Sequence, residues 1–326
     1  MEREVDLVLP DWQGTKILIL GDVILDRFVR GRVNRISPEA PIPVVEVTGE
    51  SALPGGAANV AANITSLGGA PILLGVVGAD GGGKALRKAL SERSIDDSEI
   101  IEVEGRETTV KTRIVAHQQQ VVRVDREKRD ELEEATRRLI ESRLASLVKE
   151  ARAIVVSDYA KGVLSPGLLR TVGTLATEYG IPYIVDPKPV HFPYPGASLV
   201  TPNRQEAAGF IGRPLNIQRL QVDAAALLER TDWKAVLFTL GADGMALAER
   251  GKPVERIRSR VREVFDVTGA GDSVVATATL ALAANMGLRR AAMMANAAAG
   301  VVVGKAGTAV CTPEELAEAI SELQYE

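Results

Sequence analysis

Residues 266–274 read Asp-Val-Thr-Gly-Ala-Gly-Asp-Ser-Val. Gly269 and Gly271 flank the small Ala270, and an acid, Asp272, follows at once. The run from Val274 to Met286 is small and apolar, without glycine or proline, and reads as a buried helix. A Gly-rich turn that opens a helix leaves backbone N–H groups without carbonyl partners. They point the same way, and the helix dipole adds partial positive charge. Such a turn holds an anion, most often a phosphate. An acid at its mouth either caps the helix or takes a proton from a hydroxyl that attacks a phosphoryl group. The spacing by itself leaves both uses open.

Other residues could serve the same chemistry. Leu53–Gly69 reads LPGGAANVAANITSLGG, with Gly55-Gly56 ahead of an Ala-rich helix that carries Asn59 and Asn63 one turn apart. Close packing accounts for the alanines, but not for the glycine pair with Asn59 on the first turn. Asp26 lies in the roughly alternating stretch VILDRFVRGRV; an ionised Asp only accepts hydrogen bonds, which suits sugar hydroxyls. Thr108–Glu127 alternates as two strands would, with a polar turn at His117–Gln120 and with Lys111, Arg113 and Arg123 on or beside them. Three cations fit a phosphate already present on a substrate; a solvated basic face explains them equally well.

The apolar runs that must position these residues are short. Lys16–Leu20, Ala153–Ser157 and Ala235–Leu240 read as buried strands of a parallel sheet. The second ends in Asp158-Tyr159-Ala160-Lys161-Gly162, at the strand end where open α/β sheets bind ligands; Lys161 is the expected phosphate-facing residue. IPYIVDPK repeats that arrangement with Asp186 and Lys188. In LVTPNRQE, Asn203 and Glu206 stand three apart, adjacent on one helix face, which fits a capping box. Gly78–Lys84 satisfies G-x-x-x-x-G-K, but Ala85 occupies the place where a P-loop needs Ser or Thr. A glycine turn opening a surface helix is the expectation there. Residues 34–45 hold Pro38, Pro41 and Pro43, so they form an edge or lid segment, with Arg35 and Glu39 as its polar handles.

Composition narrows the class. The 326 residues suffice for a large α/β core, and 46% hydrophobic with 25% charged residues is ordinary for a globular protein. A net charge of −4 gives no reason to expect nucleic acid. The single cysteine, Cys311, excludes an internal disulfide and fits a reducing compartment. The N-terminus lacks a signal-peptide core, and polar residues interrupt the longest apolar run, Ala281–Val303. A cytoplasmic enzyme is expected. His117 and His191 lie far apart and, with one cysteine, give no zinc spacing; both are expected at the surface.

The string DVTGAGDS closely resembles the C-terminal signature of the ribokinase-like (PfkB) family of carbohydrate kinases. That resemblance implies ATP and Mg²⁺ as cofactors, an anion hole at Gly269, Ala270 and Gly271, and Asp272 as base. It implies sugar binding by Asp26, Gly55, Gly56 and Asn59. Asn203 and Glu206 match the family's N-x-x-E, where the acid acts on Mg²⁺ through water. TLGADG resembles a turn near the ATP phosphates, which brings in Thr239, Gly241 and Gly244; Lys188 and Asn296 join the nucleotide side. Asp266, Thr268 and Gly307 match loops that hold a monovalent cation, with K⁺ the candidate. RISPEAP and SDYAKG resemble one branch, the D-glycero-D-manno-heptose 7-phosphate kinases, in which Lys111, Arg113, Arg123 and Lys161 would hold the existing phosphate. Some relatives carry a fused nucleotidyltransferase domain; the expectation here is a single kinase domain over 1–326.

The expected architecture is a doubly wound, mainly parallel α/β sheet with helices on both faces. A small β-lid from about 23–48 and 108–126 would cover the site, and lids that need their edges covered point to a homodimer. Another kinase of the same family, acting on an unphosphorylated sugar or a nucleoside, and a non-catalytic sugar-sensing protein remain as alternatives.

Overall fold

The computed structural model describes residues 7–117, 119–259, 265–305 and 307–324. Part of the N-terminal stretch, Gln118 of the expected lid turn and Ala306 of the expected cation loop lie outside them. A nine-stranded sheet forms the centre. An interior strand, β1 (Lys16–Gly21), third from one edge, is buried beyond its first residue. Ile17 and Ile19 face one apolar layer, and Leu18 and Leu20 the other. A strand covered on both faces has no need of polar alternation, so it reads as a continuous apolar run.

On one side of β1 lie β4 (Ala70–Gly78) and β5 (Ile100–Val103). On the other lie β8 (Ala153–Ser157), β9 (Tyr183–Asp186), β10 (Leu199–Val200) and β11 (Ala235–Thr239). All these pairs are parallel. Two antiparallel strands, β12 (Met245–Glu249) and β13 (Glu255–Ile257), extend the edge.

One face is covered by α1 (Ala57–Ser66), α2 (Gly81–Ser91), α7 (Ala270–Ala283), α8 (Leu288–Val303) and α9 (Pro313–Gln324). The other carries α3 (Glu134–Leu147), α4 (Pro166–Glu178), α5 (Arg204–Ile211) and α6 (Leu220–Glu229). Among the described residues no helix is long and apolar enough to cross a membrane.

After β1 the chain moves to β4 on one side and later returns to β8 on the other. The sheet order therefore reverses between β1 and β8, and the crevice beyond their C-terminal ends is where such folds take ligands.

A separate four-stranded sheet has the order β3-β2-β6-β7. It comprises β2 (Val23–Ile36), β3 (Pro43–Gly56), β6 (Val110–Ala116) and β7 (Gln119–Arg126). Strand β3 runs past the expected lid boundary at 48, because Gly55 and Gly56 stay paired with Ile24 and Val23. The hairpin closes at its base: Ala57 N–H donates to the Asp22 carbonyl at 3.1 Å. The P-loop-like turn is structural. Asp80 caps α2 through Gly83 N–H at 2.8 Å and accepts Thr108 Oγ1 at 2.7 Å.

Candidate active site

Asp272 sits in the first turn of α7 and is 5% exposed. Its Oδ2 accepts Asn59 Nδ2 at 2.7 Å and its Oδ1 accepts the Tyr159 hydroxyl at 3.0 Å. Burial pushes the carboxyl up to about 6, while the bonds from Asn59 and Tyr159 pull against that rise. A group near this value is ionised at neutral pH and can still accept a proton, as a general base must. Gly269 precedes the helix with φ 82°, and a side chain there would meet Asn59 Nδ2 at 2.9 Å. Glycine is required at that position for both reasons.

Ala270 N–H reaches the Val267 carbonyl at 3.3 Å, whereas the N–H groups of Gly271 and Asp272 have no acceptor among the described residues. Gly269 N–H likewise has no acceptor among the described residues, so Gly269, Gly271 and Asp272 present open N–H groups where the helix begins, while Ala270 does not. Asn63, on the same face as Asn59, is a brace: it donates to the Asn59 carbonyl at 2.9 Å and accepts Ser273 Oγ at 2.6 Å.

The loop after β8 is held from β1. Asp22, buried, accepts the N–H groups of Tyr159 at 2.9 Å, Lys161 at 3.1 Å and Val163 at 3.3 Å. These bonds hold Ala160 at φ 54°, a conformation an alanine resists by about 1 kcal/mol or more. Asp158, next in line, accepts Ala160 N–H at 2.8 Å, the Tyr194 hydroxyl at 2.5 Å and His191 Nδ1 at 2.6 Å. His191 is thus half-buried and not a free surface residue, and the Asp158 bond raises it above the usual histidine range. His117 is exposed and reaches the backbone of Val33.

The lid presents one face to this crevice. Asp26 stands opposite Lys111, and Phe28 opposite Arg113; Lys111 in turn opposes Asp125, and Arg113 opposes Arg123. Arg113 binds Asp26 Oδ1 in a buried ion pair and lies over Phe28 at 5.3 Å. A side chain at Gly55 would meet Asp26 Oδ2 at 2.3 Å, so this glycine makes room for the carboxylate. Lys111 Nζ lies 4.9 Å from the centre of the Tyr159 ring, and burial lowers its pKa. The other two cations are paired with carboxylates of their own. Lys161 pairs with Glu127 at 2.5 Å. Arg123 is 50% exposed and pairs with Asp125 at 2.9 Å. Lys111 and Arg113 come together at the site, and Arg123 does not.

On the far side of Tyr159 in sequence, Lys188 lies 5.4 Å from the same ring and binds Glu206 Oε1. The second Glu206 oxygen accepts Asn203 N–H at 2.9 Å, and Asn203 accepts Glu206 N–H at 3.0 Å. The capping box is complete. Asp186 is buried nearby; burial, then the charge of Glu206, push it well above the carboxylate range. Among the described residues no group of three or more His, Cys, Asp or Glu could cage a metal ion. The pair Asp186 and Glu206 does fit a hydrated Mg²⁺ carried in on phosphates, the usual way that ion binds.

Thr239 N–H donates to the Pro202 carbonyl at 3.0 Å, which sets the β11 end beside Asn203. Gly241 and Gly244 bracket the following turn, and Gly244 packs against 257–259. Asn296 donates to the Arg258 carbonyl at 2.9 Å. Asp266 accepts Thr268 N–H at 2.9 Å and Gly307 N–H at 3.2 Å, stapling the loop before α7 to the loop after α8. Two clefts of about 510 Å³ lie elsewhere, one between α6 and β12 and one behind the lid. The site is an open crevice between sheet and lid.

The model of the "pfkB family carbohydrate kinase" matches residues 15–315. The chain belongs to this family. It is 45% identical over 317 residues to a protein named bifunctional protein HldE from Caulobacter vibrioides, covering 96% of this chain and 65% of that protein. With the bifunctional protein HldE of Paramagnetospirillum magneticum the identity is 43%, covering 94% of this chain and 64% of the other. The chain thus spans a little under two thirds of these relatives.

Its fold is that of phosphofructokinase-2 from Escherichia coli in complex with substrates and products, with a TM-score of 0.79, 21% identity and coverage of 95% and 99%. Ribokinase from Arabidopsis thaliana, complexed with ribose and ATP, gives a TM-score of 0.74 at 17% identity, with coverage of 94% and 99%. The ribokinase-like α/β fold and a sugar kinase that uses ATP follow from this membership. Sequence reasoning passes over Asp22, gives Tyr159 no role of its own within its stretch, and notes Asp186 only beside Lys188. Their common signal is position, since each follows or ends a strand at the ligand-binding edge.

Proposed function

We propose that the chain transfers the terminal phosphoryl group of ATP to the anomeric hydroxyl of D-glycero-D-manno-heptose 7-phosphate. The product is the 1,7-bisphosphate, a precursor for ADP-heptose and the lipopolysaccharide core. The observation that carries this reading is one juxtaposition. Asp272 stands at the mouth of a helix with free N–H groups, and the lid brings Asp26, Lys111 and Arg113 to the same crevice. The likeness of RISPEAP and SDYAKG to heptose 7-phosphate kinases, and 43–45% identity to proteins named HldE, support the sugar.

In this reading Asp26 and Asn59 orient the sugar, and Lys111 with Arg113 take its phosphate. Asp272 receives the proton of the attacking hydroxyl. The Gly271 and Asp272 amides stabilise charge on the moving phosphoryl group, an effect that needs no reorganisation at the moment of reaction. Lys188, Asn203 and the turn at Gly241–Gly244 serve the nucleotide. Mg²⁺, when bound, neutralises charge on the ATP phosphates; Glu206, with Asp186 beside it, would hold its waters. A monovalent cation, K⁺ foremost, would sit by the loops that Asp266 joins. Residues 1–326 act as one kinase domain with an inserted lid. Exposed Ile36, Ile42, Val47, Val122 and Val124 on and beside the lid sheet favour a homodimer. The cytoplasm, where ATP is available, is the setting we assign.

The test is ADP release with Mg-ATP over ribose, fructose 6-phosphate, sedoheptulose 7-phosphate and D-glycero-D-manno-heptose 7-phosphate. Turnover confined to the last supports the assignment. Turnover on ribose or fructose 6-phosphate in its place overturns the sugar and leaves the kinase. Comparing K⁺ with Na⁺ in the same assay tests the monovalent site.

A further inference from the structure

Asp272 is held by two neutral donors, one on each oxygen. Asn59 belongs to a helix already assigned to the sugar. Tyr159 has no assigned role, yet it is fixed more firmly than a loop side chain needs to be. Its N–H is bound by Asp22, and its ring is the surface over which a lid cation, Lys111, and a sheet cation, Lys188, both lie. A carboxylate oxygen offers more than one lone pair, so a donor on Oδ1 fixes the group in the plane and still leaves room for an incoming hydroxyl.

We propose that Tyr159 is a positioning residue for phosphoryl transfer, holding the Asp272 carboxylate through Oδ1 and tying that grip to the lid through the Lys111–ring contact. This rests on the kinase reading above. The groups facing Asp272 are Asn59 on α1, Asp26 on β2, Lys111 on β6, Tyr159 after β8 and Asp186 at the end of β9. Among them only Asn59 and Tyr159 donate hydrogen bonds to it. Burial drives the Tyr159 phenol well above its ordinary range, so it remains a donor across the working pH. Loss of its hydroxyl removes one of the two bonds that oppose the rise in Asp272.

The experiment uses the full chain with Tyr159→Phe, which keeps the ring and the cation contacts. The acid limb of the pH profile of kcat/KM is expected to move up by about one pH unit or more, the size of one hydrogen bond to a charged group. KM for both substrates should stay unchanged. In the substrate-free protein, ¹³C-labelled aspartate, with Asp272 assigned by Asp272→Asn, should titrate at correspondingly higher pH. Site-specific 3-fluorotyrosine at 159 makes the phenol a stronger donor in an unchanged shape and should move both readouts down.

An acid limb and a carboxyl titration that coincide with wild type in both variants overturn the proposal. Failure of wild type to phosphorylate any sugar in the panel would instead sink the heptose reading. The ¹³C titration, which needs no turnover, keeps the two failures apart.

Discussion

The carboxylates of the main sheet and those of the lid are held in opposite ways. At the sheet edge, Asp272 and Asp22 are surrounded by neutral donors: an amide, a phenol and backbone N–H groups. In the lid and the segment after it, Asp26, Asp125 and Glu127 are bound by Arg113, Arg123 and Lys161. Neutral donors fix a carboxylate while leaving it free to take a proton. Cations bound to carboxylates form a stock of charge that an incoming phosphate can redirect. The sheet edge is therefore built in advance for the chemistry, and the lid is built to exchange partners.

Four substitutions, one of them read in two ways, break or sharpen that contrast. Asp272→Asn removes the base and should lower kcat about 10³-fold, within the usual span for such a group, with sugar affinity kept; steady-state kinetics decides it. The same variant should be more stable than wild type at pH 8. The Asp272 carboxyl is raised from 3.8 to about 6 by burial. Its contribution to stability is present in full below pH 4 and is lost as pH rises through about 6. Two pH units correspond to about 3 kcal/mol, so denaturant unfolding should show a gain of that order at pH 8 that vanishes at pH 4.

Lys111→Met should raise KM for the phosphorylated sugar about tenfold or more, as expected for a lost charge-assisted contact, with little change in kcat. An unaltered KM would take Lys111 out of the phosphate site. Asn203→Ala removes a helix cap and should cost about 1 kcal/mol in thermal or chemical unfolding. Arg123→Ala, exposed and paired along its own strand, should change stability by less than about 0.5 kcal/mol and leave KM alone; a large rise in KM would show that the lid folds over further than this arrangement implies.

The parts of the site that lie within one local stretch can be read from the chain. DVTGAGDS places two glycines, an acid and an apolar helix in succession, and the structure keeps them in that order. The capping box of Asn203 and Glu206 is equally local. Contacts between distant segments are not readable in this way. Tyr159 meets Asp272 across 113 positions, and nothing in SDYAKG announces a partner in α7. Lys161 reads as a phosphate-facing residue, and its pairing with Glu127, from the segment after the lid, is not announced by SDYAKG. Gly55-Gly56 reads as the lead-in to the helix, yet both glycines also pair with Ile24 and Val23, and Gly56 makes the passage to the helix at φ 57°. Arg123 alternates correctly with its neighbours, but periodicity says nothing of how far an edge strand stands from the site.

The hydrogen bond from Ala57 to the Asp22 carbonyl has a consequence for how this architecture varies. The hairpin from Val23 to Gly56 leaves the main sheet and returns to it at this point, and its inner half is held as well by the β2–β6 ladder from Leu25 to Gly31. The distance between β1 and α1 is set there and is indifferent to the length of the hairpin in between. Because loop-closure entropy grows only slowly with length, the part of the hairpin beyond Gly31, where the β2–β6 ladder ends, can be lengthened, shortened or exchanged at little energetic cost. Asp22, which fixes the Tyr159 loop, and Asn59, which fixes the base, would not be displaced. The outer hairpin is in this sense a replaceable cassette. Substrate range can change by grafting a new hairpin beyond Gly31, while the machinery of transfer is inherited intact.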